Sequence, residues 1–285
     1  MRSIVLVLAV AVMVFPGAAR AEDAPAGYVV AVTLAGEDAS AKTAVVRHGK
    51  ELPAKLMMPV FAGDVVFLRN TASRIALELG QGKTVEVGGS LARYNVEGEI
   101  PTGDDAWSIF KAIGTVLAGD GEEIPENMAA KGDEAELKMP LAVHGANFIV
   151  AGERNLWLAW TGGKAPFLVT LTQNGKETVL PKSNSREANI SVKPGKRFSV
   201  AIADSGHQVV PVRFRMRDSL PSMPEELRKA APGPAADALF LSAWLLTQDD
   251  GAWAVEAAQA LHTRASADQA AAALLERMMA GWKPE

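Results

Sequence analysis

The sequence predicts a multidomain chain, mainly β with a C-terminal α part, and three patterns carry that prediction. Within residues 58–96 (MPVFAGDVVFLRNTASRIALELGQGKTVEVGGSLARYNV) short apolar runs alternate with polar residues at a period of two, the mark of half-buried strands. Residues 156–216 continue that period at the short spacings of a β-sandwich, with Asn174-Gly175 as the strongest hairpin signal in the chain. Near the end, Ala271, Leu274, Leu275, Met278 and Trp282 recur at i, i+3, i+4, i+7 and i+11, a broad apolar helix stripe.

The chain opens with Arg2, an apolar run over 4–15, the breaker Pro16-Gly17 and the small-x-small triplet Ala19-Arg20-Ala21. These are the parts of a cleavable secretory signal peptide, residues 1–21, and they predict a periplasmic protein. The twelve apolar residues of 4–15 fall short of the roughly 20 that a bilayer span needs, so the expected mature chain is not membrane-spanning. Cysteine is absent, which excludes disulfides, a lipidated cysteine, thiolate metal ligands and cysteine nucleophiles. Removing Arg2 and Arg20 from 29 basic residues leaves 27 against 33 acidic ones, a balance that argues against nucleic acid or an anionic membrane surface as partner.

Residues 27–96 read as a small β-domain. Residues 28–34 and 44–46 supply opening strands, and His48-Gly49-Lys50 is a turn. Gly63-Asp64 opens the run 65–68. Ile75, Leu77 and Leu79 alternate with Arg74, Ala76 and Glu78, and after Gly80-Gln81-Gly82 the strand returns with Val85 and Val87, so 74–87 is a hairpin with one apolar face. Gly80 and Gly88 are expected to mark turns. The order Ala62-Gly63-Asp64-Val65-Val66, then Ser73-Arg74-Ile75-Ala76-Leu77, then Leu79-Gly80 and Gly82 resembles the FecR family domain. That resemblance implies an exported β-module. Members of the family include periplasmic segments of sensors that pass a signal to sigma-factor systems; this chain is expected to depart from them in having no cytoplasmic N-terminal region and no retained membrane helix.

A connector, residues 97–138, follows. Trp107, Phe110, Ile113 and Leu117 share one helical face, with Asp104 or Asp105 placed to cap it. The acidic stretch 119–136 reads as a solvated linker, because its carboxylates lack the alternating spacing of a calcium loop.

Residues 139–218 read as an immunoglobulin-like β-sandwich by pattern. Leu156, Leu158 and Trp160 form one face of a strand, and Phe167, Val169 and Leu171 another. Then come Ile190 and Val192, next Phe198, Val200 and Ile202, and last Val212, Phe214 and Met216. The segment 160–167 (WTGGKAPF) also looks like one found after FecR-like domains in exported bacterial proteins. Arg213, Arg215 and Arg217 share the outward parity of the final strand and could hold an anionic glycan or phosphate, since guanidinium groups match paired oxygens. The competing and favoured expectation is a charged edge strand, because charge and Pro211 together discourage edge-to-edge pairing. Trp157 has opposite parity to Leu158 and is the one tryptophan suited to stack on a sugar, although packing inside the core is the favoured reading.

Residues 222–282 read as a small helical bundle. Ser222 with Glu225 and Ser266 with Gln269 are spaced as capping boxes. Residues 238–246 (ALFLSAWLL) are apolar nearly all round, so neighbouring helices, the sandwich or another protein must cover them. Leu241 on that helix is a candidate contact for a partner protein. Asp249-Asp250-Gly251 ends this helix. The helix–turn–helix spacing hints at a tetratricopeptide-like hairpin, but no second copy follows at a fixed period.

The four histidines, His48, His144, His207 and His262, are scattered over different units. No metal-ligand spacing, nucleophile elbow or phosphate-cradling loop occurs. The sequence therefore predicts no catalytic, cofactor-binding or metal residues. The expected function is a periplasmic, non-enzymatic binding or assembly protein, partner to an envelope protein or signalling system. The alternative is a cell-wall or polysaccharide binding module, and a carboxylate-dependent glycan hydrolase ranks below both.

Overall fold

Eight short strands form the first part of the chain: β1 (Gly27–Thr33), β2 (Thr43–Arg47), β3 (Lys50–Pro53), β4 (Pro59–Val60), β5 (Val65–Leu68), β6 (Arg74–Leu79), β7 (Lys83–Gly88) and β8 (Arg93–Asn95). The structure is a computed structural model and describes residues 24–33, 43–70, 72–100, 109, 111–115, 117 and 135–284. The strands make two antiparallel four-stranded sheets, β4-β1-β6-β7 and β3-β2-β5-β8. The hairpin expected over 74–87 forms, with Ile75 opposite Val87 and Leu77 opposite Val85. Ile75, Leu77 and Val87 are fully buried with Val29, Val45 and Val66, as the period of two requires. Gln81 and Gly82, rather than Gly80, take the left-handed conformation at its turn (φ +65° and +73°).

The Gly63-Asp64 step has a structural role. Asp64 is buried, and its carboxylate accepts hydrogen bonds from the Phe61 N–H (2.9 Å) and from Arg47 Nη2 (2.8 Å). The same Arg47 nitrogen donates to the Pro59 carbonyl (2.8 Å), and the guanidinium lies 4.3 Å over the Phe61 ring. One ion pair thus fastens β2 to the loop between β4 and β5.

The second group of strands comprises β9 (Ala146–Val150), β10 (Arg154–Ala159), β11 (Leu168–Gln173), β12 (Lys176–Val179), β13 (Glu187–Val192), β14 (Arg197–Ala203) and β15 (Val209–Arg217). Five make a sheet of order β12-β11-β14-β15-β9, while β10 pairs with β13 separately. Val169, Leu171, Phe198, Val200, Ile202, Val212 and Phe214 on the five-stranded sheet share a core with Leu156, Leu158, Ile190 and Val192 of the pair. Asn174 and Gly175 both have positive φ (52° and 73°), the conformation that an Asn-Gly hairpin turn supplies.

One expectation fails here. β15 is not an edge strand, because β14 pairs antiparallel on one side and β9 parallel on the other. Pairing with β9 begins at Arg213 opposite Ala146, past Pro211. Proline's missing N–H therefore meets no demand from that neighbour.

The segment 160–167 folds as a loop against the β14–β15 turn. Asp204 accepts from the Lys164 N–H (2.8 Å) and the Gln208 N–H (2.7 Å). The hydrogen bond from Lys164, followed by those from Gln208 and Gly206, holds its carboxyl below the usual range against the opposing effect of burial.

Residues 109, 111–115 and 117 are helical (α1), with Ile113 fully buried. Trp107, Phe110, the caps Asp104 and Asp105, the stretch 119–134 and the signal segment lie outside the described residues. The C-terminal helices are α2 (Glu225–Ala230), α3 (Pro234–Thr247), α4 (Ala254–Arg264) and α5 (Gln269–Met279). Neither expected capping box forms. Pro224 occupies the N-cap of α2, and α5 is capped by Asp268, whose carboxylate accepts from the Ala270 and Ala271 N–H groups (3.0 and 3.1 Å). A carboxylate next to the first turn is a better acceptor than a hydroxyl two residues earlier.

Helix α3 buries Leu239, Phe240, Ala243, Trp244, Leu245 and Leu246 against its neighbours within the chain. Its N-terminus is held by Glu78 of β6, which is 3% exposed. The Glu78 carboxylate accepts from Ala235 N–H (3.2 Å) and Ala236 N–H (2.8 Å). Nearby, Gly82 N–H donates to the Pro232 carbonyl (2.7 Å), and Tyr28 meets Phe240 edge-on at 6.2 Å. Helix α4 closes strand edges on the other side. Glu256 accepts from Val150 N–H (3.1 Å) and from Arg154 (3.0 Å), while Gln259 exchanges hydrogen bonds with the Trp157 N–H (2.8 Å) and carbonyl (2.9 Å). No helix among the described residues is long and apolar enough to cross a membrane.

Candidate anion-binding face

The outer face of the five-stranded sheet presents the residues whose parity opposes the core set. Antiparallel register sets Arg197 of β14 directly opposite Arg215 of β15, and Ser199 opposite Arg213. On the far side of β14, Thr172 of β11 pairs with Ser199. Directly opposed residues in such a ladder have Cα atoms about 4.5–5.5 Å apart, so the two guanidinium stems of Arg197 and Arg215 rise side by side. Arg213 stands two residues along the same strand, about 7 Å away on the same face.

These residues line a concavity of about 570 Å³, together with Asn174, Gly175, Gly145 and Ala146. The Asn-Gly turn forms one wall because it continues β11 beyond Gln173, level with Arg197. Among the described residues, no carboxylate lies within ion-pair distance of Arg197, Arg213 or Arg215. Glu177 shares the row of Thr172, Ser199 and Arg213 but is three strands from Arg213, roughly 14 Å at the usual strand spacing. Like charges placed directly opposite each other destabilise a sheet, and here no countercharge offsets Arg197 against Arg215. The arrangement is chemically ready to accept an oxyanion, because guanidinium forks bind carboxylate or phosphate oxygens in pairs. The other end of the face is apolar, with Val179 and Val209 52% and 57% exposed.

The predicted site residues separate. Arg213 and Arg215 line the concavity, joined by Arg197, which the sequence reading missed. Arg217 shares the face, but its guanidinium lies 4.2 Å over the Phe148 ring and does not line the concavity. Trp157 does not stand exposed as a sugar platform. It is 7% exposed, its indole stacks on His262 with centroids 4.2 Å apart, and its Nε1 donates to Glu187 (2.9 Å). Both faces of β10 are covered, which favours the core reading given for it. Leu241 is half-buried against the core and borders a groove of about 270 Å³ with Leu220, Leu245 and Ala260.

His48 and His207 occupy turns at positive φ (49° and 71°), whereas His262 packs on Trp157. The signal that points to Arg197 is the β14–β15 turn: a hairpin centred on Gly206 sets Arg197 opposite Arg215. No protein-family model, no curated protein and no solved structure matches this chain.

Proposed function

We propose that this chain is an exported, non-enzymatic binding or assembly protein of the cell envelope. Its first unit is FecR-like, its second unit is an immunoglobulin-like sandwich that presents the working surface, and its helices tie the two together. The reading rests on one observation: Arg197 and Arg215 are directly opposed in a concave, solvent-facing site with no carboxylate paired to them among the described residues. Such an arrangement is unfavourable for the sheet alone and favourable once an acidic envelope component docks. The reading of Arg213, Arg215 and Arg217 as mere edge protection loses its motive, because β15 has a neighbour on each side.

A second reading, capture of an envelope or membrane protein through α3, has the apolar groove beside Leu241 and Leu245 in its favour. In-cell crosslinking of the periplasmic protein followed by mass spectrometry separates the two. The arginine reading expects envelope crosslinks to be lost in Arg197→Glu/Arg215→Glu and retained in Leu241→Asp, with thermal melting used to confirm that each variant is folded. The reverse pattern transfers the function to the α3 groove. Unchanged crosslinks in both folded variants sink both readings.

A further inference from the structure

We infer that the ligand of the arginine concavity is an anionic carbohydrate, a sugar carrying a carboxylate or phosphate group. This rests on the binding function proposed above and specifies its chemistry. The concavity combines two kinds of group that such a ligand needs. Arg197 and Arg215 stand opposite each other in the ladder and both line the concavity, and Ser199, Thr172 and Asn174 supply hydroxyl and amide groups beside them. Arg215 and Arg213 are about 7 Å apart along β15. A single pyranose ring bridges that span, with its charged substituent at one end and its hydroxyls at the other. The volume of about 570 Å³ falls within the range of small-molecule sites, roughly 300–1,000 Å³.

The backbone argues against an acidic peptide. β14 has β11 and β15 as ladder partners, and β15 has β14 and β9, so the floor of the site offers no strand edge for an added peptide strand to pair with. A peptide lying across this face could be read by its side chains alone, whereas sugar hydroxyls match the Ser, Thr and Asn groups directly.

The test is calorimetric titration of the mature chain at low salt with trigalacturonate, glucose 6-phosphate, maltotriose, inorganic phosphate and hexaglutamate. The inference expects trigalacturonate or glucose 6-phosphate to bind, with the tighter of the two identifying the oxyanion. It expects affinity to fall by about tenfold or more in Arg215→Ser, the loss of a charge-assisted contact. Arg217→Ser, occupied by Phe148, should change affinity little. Maltotriose should bind far more weakly. Hexaglutamate binding as tightly as the sugars, or inorganic phosphate matching glucose 6-phosphate, overturns the carbohydrate assignment while leaving the binding function to the crosslinking result. Absence of binding by every anionic probe also overturns it.

Discussion

Asp204 is a single residue whose carboxylate fastens two loops, and its ionisation links the fold to pH. Hydrogen bonds from the Lys164 and Gln208 N–H groups stabilise the charged form and lower its pKa. A carboxyl whose folded pKa lies below its unfolded value stabilises the fold above the unfolded value, and that contribution is lost as pH falls through the folded one. Stability should therefore decline as pH drops below the ordinary value of 3.8. Asp204→Asn should be less stable than the parent at neutral pH and show a shallower decline in acid. Urea melts across pH check this, and parallel curves for the two proteins would contradict it. The importance of Asp204 was hidden in the sequence because its partners lie 40 residues upstream and 4 downstream. Outward parity alone made Arg213 and Arg215 legible, since parity is local.

At the level of elements, α4 acts as a substitute strand. Glu256 and Gln259 use side chains three residues apart to satisfy backbone groups of β9 and β10 that no strand pairs. Gln259→Leu would strip partners from both the N–H and the carbonyl of buried Trp157. At about 1–3 kcal/mol for each of the two buried groups left unsatisfied, the variant should lose about 2–6 kcal/mol in denaturant unfolding. A loss under about 0.5 kcal/mol would mean that water replaces the side chain without penalty. Strand positions were legible because alternation is a property of each segment by itself. Sheet membership was not, because a period of two says which face a residue takes and nothing about which strand lies beside it. That gap explains the mistaken edge assignment of β15 and the omission of Arg197. Helix caps failed for a related reason: Ser222 and Ser266 have the right spacing, but Asp268 offers the stronger acceptor for α5 and proline leads into α2.

Across the whole molecule, buried contacts join the N-terminal strands to the C-terminal helices. Glu78 lies on the first β-unit and caps α3 of the helical part, with Gly82 and Pro232 beside it. One core cluster includes Tyr28, Met57 and Ile100 along with residues of the five-stranded sheet, the β10–β13 pair and the helices. Glu78→Ala removes a charged acceptor from two N–H groups at a helix start and should lower stability by about 2–3 kcal/mol. Because the contact crosses units, it should also split one thermal transition into two, which calorimetry would detect. A single transition at an unchanged temperature would refute that coupling. A mainly β chain with C-terminal helices was legible in the sequence, whereas the docking of the helices on the strands was not, because it depends on Glu78, a residue that reads locally as the polar half of a strand.

The central claim is that the arginine face binds an acidic envelope component, and co-sedimentation of the mature chain with isolated cell envelopes over a salt series tests it most directly. The account predicts sedimentation at low salt that weakens as ions screen the contact, and its loss in folded Arg197→Glu/Arg215→Glu protein. Equal sedimentation of the parent and the charge-reversed variant at every salt concentration would contradict it.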